Sequence, residues 1–390
     1  MTAAHHFFSY FPQFHPDPIN DRAWGLGFTD WDLIRALPEP QRQAFTPARG
    51  YYDPSEPEYL RSLCAQLQEL PLPNAGLMVY HYHFDGVAAL SGFERQLLAQ
   101  PAQALPFFLC WANETWTKRW VGKPGEVLVE QQHKVQPELV QDHARYLAQF
   151  FDLPHYHRVG GRPLFMIYNA QASTTLPQVL AMYRQAFAEL GHNPLIGACI
   201  AYPHPPEQLR PYDFGCEFEP RFFFNSKSSS ALAQSAARLK MSFPRLFEWL
   251  GAQRDRMRQR VGSRTFAYQD YLAALADGSL EQALRASTAS LPLMRSTFLS
   301  WDNVPRYGTR STSVAHEGVQ ADALRALGSL RSDQGLPILI NSWNEWSEGA
   351  ALEPGARDHR LRQAFLQALP GPQLAPEPAA ELACLARQAL

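Results

Sequence analysis

The sequence predicts an α/β fold, a (β/α)8 TIM barrel with a helical insertion between strands 6 and 7. Three observations carry that expectation. Short apolar runs recur along the 390 residues, helix-like stretches separate most of them, and polar and aromatic residues gather just after nearly every run. Apolar runs without alternation suit parallel strands covered on both faces. Their alternation with amphipathic stretches suits crossover connections. A barrel gathers its functional groups at the C-terminal strand ends.

The expected strands are Phe7–Phe11, Gly76–Tyr82, Pro106–Trp111, Pro163–Tyr168, Pro194–Ile200, Phe214–Phe218, Leu293–Ser300 and Pro337–Asn341. Helical patterns fall at Pro57–Leu70, Pro137–Phe151, Thr175–Leu190 and Val319–Ser332. Residues 225–291 read as a mostly helical insertion, with a small helical subdomain as the alternative. The barrel is expected over residues 1–364. Residues 365–390 turn to Ala, Pro and Leu and read as a linker and terminal helix.

Strand ends supply the candidate substrate-binding residues. The first run brings Tyr10, Gln13, His15 and Trp24, and the second His81 and Tyr82. The third brings Trp111, Asn113, Glu114, Trp116 and Arg119. The fourth adds Tyr168, the sixth Glu219, and the seventh Trp301, Asp302, Asn303 and Arg306. Glu217 and Glu219 share one strand face, and one of them is expected to pair with Arg221. Glu114 reads as a hydrogen-bond acceptor or as an ion-pair partner of Lys118 or Arg119. An aromatic, hydroxyl-binding pocket suits an oligosaccharide better than a phosphate. No GxxxxGK[ST] loop and no GxGxxG after a strand is present, so the common nucleotide cradles are absent.

Composition narrows the class. Basic and acidic residues nearly balance, 35 against 37, without a long basic run, so nucleic acid is not an expected partner. Cys64, Cys110, Cys199, Cys216 and Cys384 form no CxxC pair and read as free thiols of a reducing compartment. The N-terminus lacks a secretory pattern, and no membrane-spanning run occurs, so a cytoplasmic protein is expected. His81 and His83 would point to one strand face. They offer two metal ligands without a second pair of recognised spacing, so neither a metal nor another cofactor is expected.

The eighth strand leads into INSWNEWSEGAALEP. Its Glu345 and Glu348 lie three residues apart beside Trp343 and Trp346, with Asn341 and Asn344 nearby. One carboxylic acid can protonate a leaving oxygen while another carboxylate serves the other face of a sugar. Indole faces pack on pyranose C–H groups. A strand end followed by a helix N-terminus, where Glu is common, would read similarly.

The blocks YFPQFHPDPINDRAWGLGFTDW, YHYHFDG, LCWANETWTKRW, RPLFMIY, SWDNVPRYG and INSWNEWSEGAALEP resemble those of the WbsX family. Its members are described as glycosyltransferases of bacterial surface-polysaccharide loci. They are also described as similar to glycoside hydrolase family 99, the endo-acting α-mannosidases. The resemblance runs from about His5 to about Arg360 and implies a (β/α)8 barrel. It also implies that Glu345 is the base on a sugar 2-hydroxyl and Glu348 the general acid/base. The reaction would retain configuration through a 1,2-anhydro sugar. The chain departs from the family pattern at Asp30, where Glu is common, and at His83, Thr115, Val304 and Ala351. These departures touch substrate subsites rather than the Glu pair.

The expected function is therefore that of a carbohydrate-active enzyme on a bacterial surface polysaccharide or O-antigen-type glycan. A transferase or transglycosylase of lipopolysaccharide or capsule biosynthesis uses the same pair. A non-catalytic glycan-binding protein and a metal-dependent hydrolase using His81 and His83 are the readings from other classes.

Overall fold

The structure is a computed structural model. It describes residues 6–370 except 73, 119–122, 204, 229–262, 289, 320–321 and 357–358. Eight parallel strands form a ring among the described residues: β1 His6–Tyr10, β2 Gly76–Phe84, β3 Phe107–Trp111, β4 Arg162–Ile167, β5 Leu195–Ile200, β6 Phe214–Glu217, β7 and β8 Ile338–Asn341. β7 is in two pieces, Leu293–Met294 and Ser296–Phe298. Each strand pairs in parallel with its sequence neighbour, and β8 returns to β1 with Phe8 opposite Ile340. The first piece of β7 pairs with β6 and the second with β8, which closes the barrel.

The break in β7 differs from the expected unbroken run Leu293–Ser300. Its cause is Arg295, whose N–H donates to Ser332 Oγ at 2.9 Å instead of to a ladder partner. The guanidinium of Arg295 is buried, donating to Glu217 at 2.9 Å and to Glu281 at 2.8 Å. A pair of buried charges needs such mutual satisfaction. Glu217 thus pairs with Arg295, where an ion pair of Glu217 or Glu219 with Arg221 was expected.

The outer layer carries α1 Pro57–Gln68, α2 Gly92–Ala99, α3 Pro137–Phe151, α4 Leu176–Glu189, α5 Tyr268–Ala276, α6 Ser279–Thr288 and α7 His359–Ala368. α3 shows why: Pro137 opens it, and Val140, His143, Ala144, Leu147 and Phe151 line one buried stripe. The expected helix Val319–Ser332 is instead a 3₁₀ helix, Ala323–Ser329. Leu324, Leu327 and Leu330 are all buried. A spacing of three matches three residues per turn.

Of the expected insertion 225–291, residues 229–262 lie outside the described residues. The rest holds α5 and α6, which pack on the barrel: Tyr268 and Tyr271 donate to Phe298 O and Thr297 Oγ1 on β7. The expected terminal helix falls in residues 371–390, also outside the described residues. Four of the cysteines, Cys64, Cys110, Cys199 and Cys216, are buried free thiols. No described helix is long and apolar enough to cross a membrane.

Strand parity sets the site. On β1, Phe8 and Tyr10 face the helical layer, with Tyr10 against Phe93 at 4.3 Å. Ser9 and Phe11 face inward, where Ser9 Oγ donates to Asn341 and Phe11 stacks on Tyr80 at 4.3 Å. On β2, Tyr80 and Tyr82 face inward, while His81 and His83 face α3. A smaller apolar cluster of Phe14, Trp31, Ile34, Phe45 and Trp346 lies apart from the main core.

Candidate active site

The segment after β8 is built before it can function. Trp343 N–H donates to Ser9 O, and the Asn344 side chain both accepts from Phe11 N–H and donates to Phe11 O. The Trp346 indole N–H donates to Glu353 at 3.0 Å, and its ring packs with Phe14 and Trp31. Gly355 is required beneath it, since a Cβ there would lie 2.5 Å from the ring. Burial pushes Glu353 up to about 7, against the hydrogen bonds from Tyr52 and Trp346 and the charge of Arg49. These contacts fix a turn that aims Glu345, Ser347 and Glu348 at one place.

That place is the guanidinium of Arg306. Its Nη1 donates to Glu348 Oε1 at 2.8 Å, and its Nη2 donates to Glu345 Oε1 at 3.1 Å and to Asp30 Oδ2 at 2.8 Å. Ser347 Oγ lies 2.7 Å from Asp30 Oδ2 and 2.8 Å from Glu345 Oε1. Gln13 Nε2 reaches both oxygens of Glu345, at 3.3 and 3.1 Å. Glu345 is fully buried and Glu348 is 6 % exposed. Burial raises Glu345 to about 8; Arg306 opposes this, while Glu348 and Asp30 add to it. Burial likewise raises the Tyr82 hydroxyl, with Glu345, Arg306 and Asp30 in electrostatic reach. Burial raises the Tyr168 hydroxyl too, with Arg221, Glu114 and Glu348 in electrostatic reach.

Gln13, Arg306, Glu345 and Glu348 thus meet in one hydrogen-bonded group, with Tyr82 and Tyr168 in electrostatic reach of its carboxylates. Glu114 is exposed nearby and accepts from Asn169, whereas Lys118 pairs with Glu126. Trp116 lies edge-on to Tyr82, and Trp24 stacks on Phe28 beneath Lys118. Arg119 lies outside the described residues.

The remaining candidates are placed elsewhere. Tyr10, His81 and Trp111 face the helical layer. Both ring nitrogens of His81 are engaged, one by Glu94 at 2.9 Å and one by His143 at 2.7 Å, which leaves none for a sugar hydroxyl. Trp111 donates to His83 O. His15 is bound through Pro16 O and Gly92 N–H. Asn113 clamps the Asn169 backbone, Asn303 accepts from Thr312 N–H, and Asn341 donates to Glu219 O. Trp301, Trp343 and Trp346 are buried scaffold, as is Asn344. The Asp302 N–H donates to Glu348 O, and its carboxylate accepts from Val304 N–H. Glu219 lies inside the barrel, where burial beside Glu217 holds its carboxyl well above the usual range.

Sequence reasoning missed Ser347, named Asp30 only as a departure from the family pattern, and gave Arg221 only as an ion-pair partner of Glu217 or Glu219. Ser347 stands between the two Glu residues, which was the available signal. Asp30 sits in the block GFTDW, but only the fold brings it to residues more than 270 positions away.

Comparison with known proteins follows the same line. A family model described as Glycosyltransferase WbsX matches residues 7–369. A protein of Xanthomonas campestris pv. campestris (strain B100) described as uncharacterized protein WxcX is 31 % identical over 372 residues, covering 92 % of this chain and 48 % of its own length. The chain thus spans about half the length of the curated relatives it matches. Among solved structures, a GH99 endo-alpha-mannosidase from Bacteroides thetaiotaomicron matches with a TM-score of 0.52 and 15 % identity, over 93 % of this chain and 96 % of that one. A glycoside hydrolase-like protein matches with a TM-score of 0.54 and 13 % identity, over 94 % of each chain. These structural likenesses concern the barrel fold. The chain belongs to the WbsX glycosyltransferase family.

Proposed function

We propose that this chain is a carbohydrate-active enzyme that breaks or exchanges glycosidic bonds in a bacterial surface polysaccharide or O-antigen-type glycan. The observation that carries the reading is the convergence of Glu345 and Glu348 on one guanidinium at the C-terminal end of the barrel. The likeness to barrels of the GH99 type and the family membership support it.

Glu345 acts as base on the sugar 2-hydroxyl while that oxygen attacks the anomeric carbon. Glu348 gives a proton to the leaving oxygen. The resulting 1,2-anhydro sugar opens when Glu348 takes a proton from water or a sugar hydroxyl and Glu345 returns one to O2. Configuration is retained. Water as acceptor makes a hydrolase; a sugar hydroxyl makes a transglycosylase or transferase, which the family description favours. A base raised to about 8 is strong once ionised, which suits a weakly acidic hydroxyl.

One observation favours the exchanged roles. Burial keeps Glu345 protonated at neutral pH, the state a general acid needs. Two variants separate the assignments. Loss of the acid is tolerated on activated aryl glycosides, whose leaving groups need little protonation; loss of the base is not. Glu348→Gln sparing aryl glycosides supports the first assignment, and Glu345→Gln sparing them supports the second. Each variant should lose on the order of 10²–10⁴-fold on a poor leaving group.

The function itself is tested by incubating protein with surface polysaccharide of its source organism in H₂¹⁸O, beside Glu345→Gln, with products read by mass spectrometry. Shortened chains carrying ¹⁸O establish a hydrolase. Rearranged or extended chains without ¹⁸O establish a transferase. Binding without turnover leaves the glycan-binding reading.

A further inference from the structure

We infer that Asp30 is a positioning residue for the reaction: through Arg306 and Ser347 it fixes Glu345 Oε1 and leaves Oε2 as the oxygen that exchanges the proton with the sugar. The inference rests on the acid/base reading of Glu345 given above.

The geometry is a closed loop of contacts. Asp30 Oδ2 accepts from Arg306 Nη2 at 2.8 Å and from Ser347 Oγ at 2.7 Å. The same two groups meet Glu345 Oε1 at 3.1 and 2.8 Å. Oε1 also lies 3.3 Å from Gln13 Nε2, so its lone pairs are used. Oε2 accepts from Gln13 alone among the described residues, at 3.1 Å. Oε1 is therefore held by three donors and Oε2 by one.

Asp30 is itself held. It opens the helix Asp30–Arg35, which the Thr29–Asp32 capping box fixes. Its neighbour Trp31 stacks on Phe14 at 4.0 Å and donates to Tyr52 O. Asp30 is 3 % exposed, so solvent does not hold it.

Ser347 has one hydroxyl proton and faces both carboxylates, so it donates to one of them at a time. The charged and polar groups facing Glu345 are Arg306, Glu348, Asp30, Ser347, Gln13 and Tyr82. Asp30 is the like charge that shares two of its three side-chain donors, Arg306 and Ser347.

The test compares Asp30→Asn with Asp30→Glu. Glutamate-¹³C-labelled protein is titrated by infrared spectroscopy, and the band of Glu345 is identified by its loss in Glu345→Gln. Removing one like charge should lower the Glu345 midpoint by about one pH unit. Asp30→Glu keeps the charge and should hold the midpoint near that of the unaltered protein. On a glycan substrate, Asp30→Asn should lower kcat at least about tenfold, with the ascending limb of the pH profile moved by the same amount. An unmoved midpoint in Asp30→Asn, or equal movement in both variants, overturns the inference. Lack of turnover by the unaltered protein bears on the proposed function alone, because the infrared midpoint decides the role of Asp30 without it.

Discussion

Replacing Arg306 by Met removes a charge that three buried carboxylates share while keeping most of the side chain's apolar length. Arg306 is 8 % exposed at its side chain, and its partners Asp30, Glu345 and Glu348 are 4, 0 and 7 % exposed. Solvent screening therefore rescues little. Glu345 contributes little at pH 7, since at about 8 it is already largely protonated. Glu348 keeps Arg221 within electrostatic reach. Asp30 is left as the stranded anion. Breaking a buried pair from one side typically costs about 3–5 kcal/mol, so the expected loss of stability is about 4 kcal/mol at pH 7. Urea denaturation followed by far-ultraviolet circular dichroism, for both proteins, reads it as a shift in midpoint at constant slope. A loss under about 1 kcal/mol would refute the shared-charge account.

Burial holds His83 down at about 3 and His133 at about 4, so the unfolded chain binds these protons first as pH falls. Their contribution is full above about 6.5 and is lost between there and about 3. His83→Phe keeps a ring against His143, 3.7 Å away, and should make the acid decline of stability shallower; an unchanged decline in an acid titration of the fold would count against it. Asn344→Ala strands the N–H and C=O of Phe11 and should cost about 1–3 kcal/mol in urea denaturation. Activity should fall with it, because Phe11 leads directly to Gln13 on Glu345; full activity would mean that Gln13 is held independently.

The barrel is legible in the sequence because parallel strands buried on both faces leave continuous apolar runs. All eight expected runs overlap an observed strand. β7 is the exception in detail: its composition reads as one strand, and only the distant carboxylates of Glu217 and Glu281 explain why Arg295 interrupts it. Leu324, Leu327 and Leu330 carry a visible spacing of three, yet that spacing passes for an α-helix until the turn is seen to be 3₁₀.

The site was legible as a set of blocks and less so as a set of side chains. His81 and His83 share a face, as strand geometry requires, but barrel closure turns that face toward α3. The same parity removes Tyr10 and Trp111 from the opening and admits Tyr82. The Trp and Asn residues of the last block look like sugar ligands by composition. In the fold they are the clamps that hold the turn, because a turn carrying buried carboxylates needs its own polar groups satisfied.

By itself the sequence determined the barrel, the family and the position of Glu345 and Glu348, since these depend on local apolar runs and contiguous motifs. Only the tertiary structure decided which groups face those carboxylates. Asp30, Arg306 and Ser347 come from three separate segments, and no local pattern encodes their meeting. The charge state of Glu345 follows from that meeting, because burial and the balance of Arg306 against Asp30 and Glu348 exist only in the closed barrel.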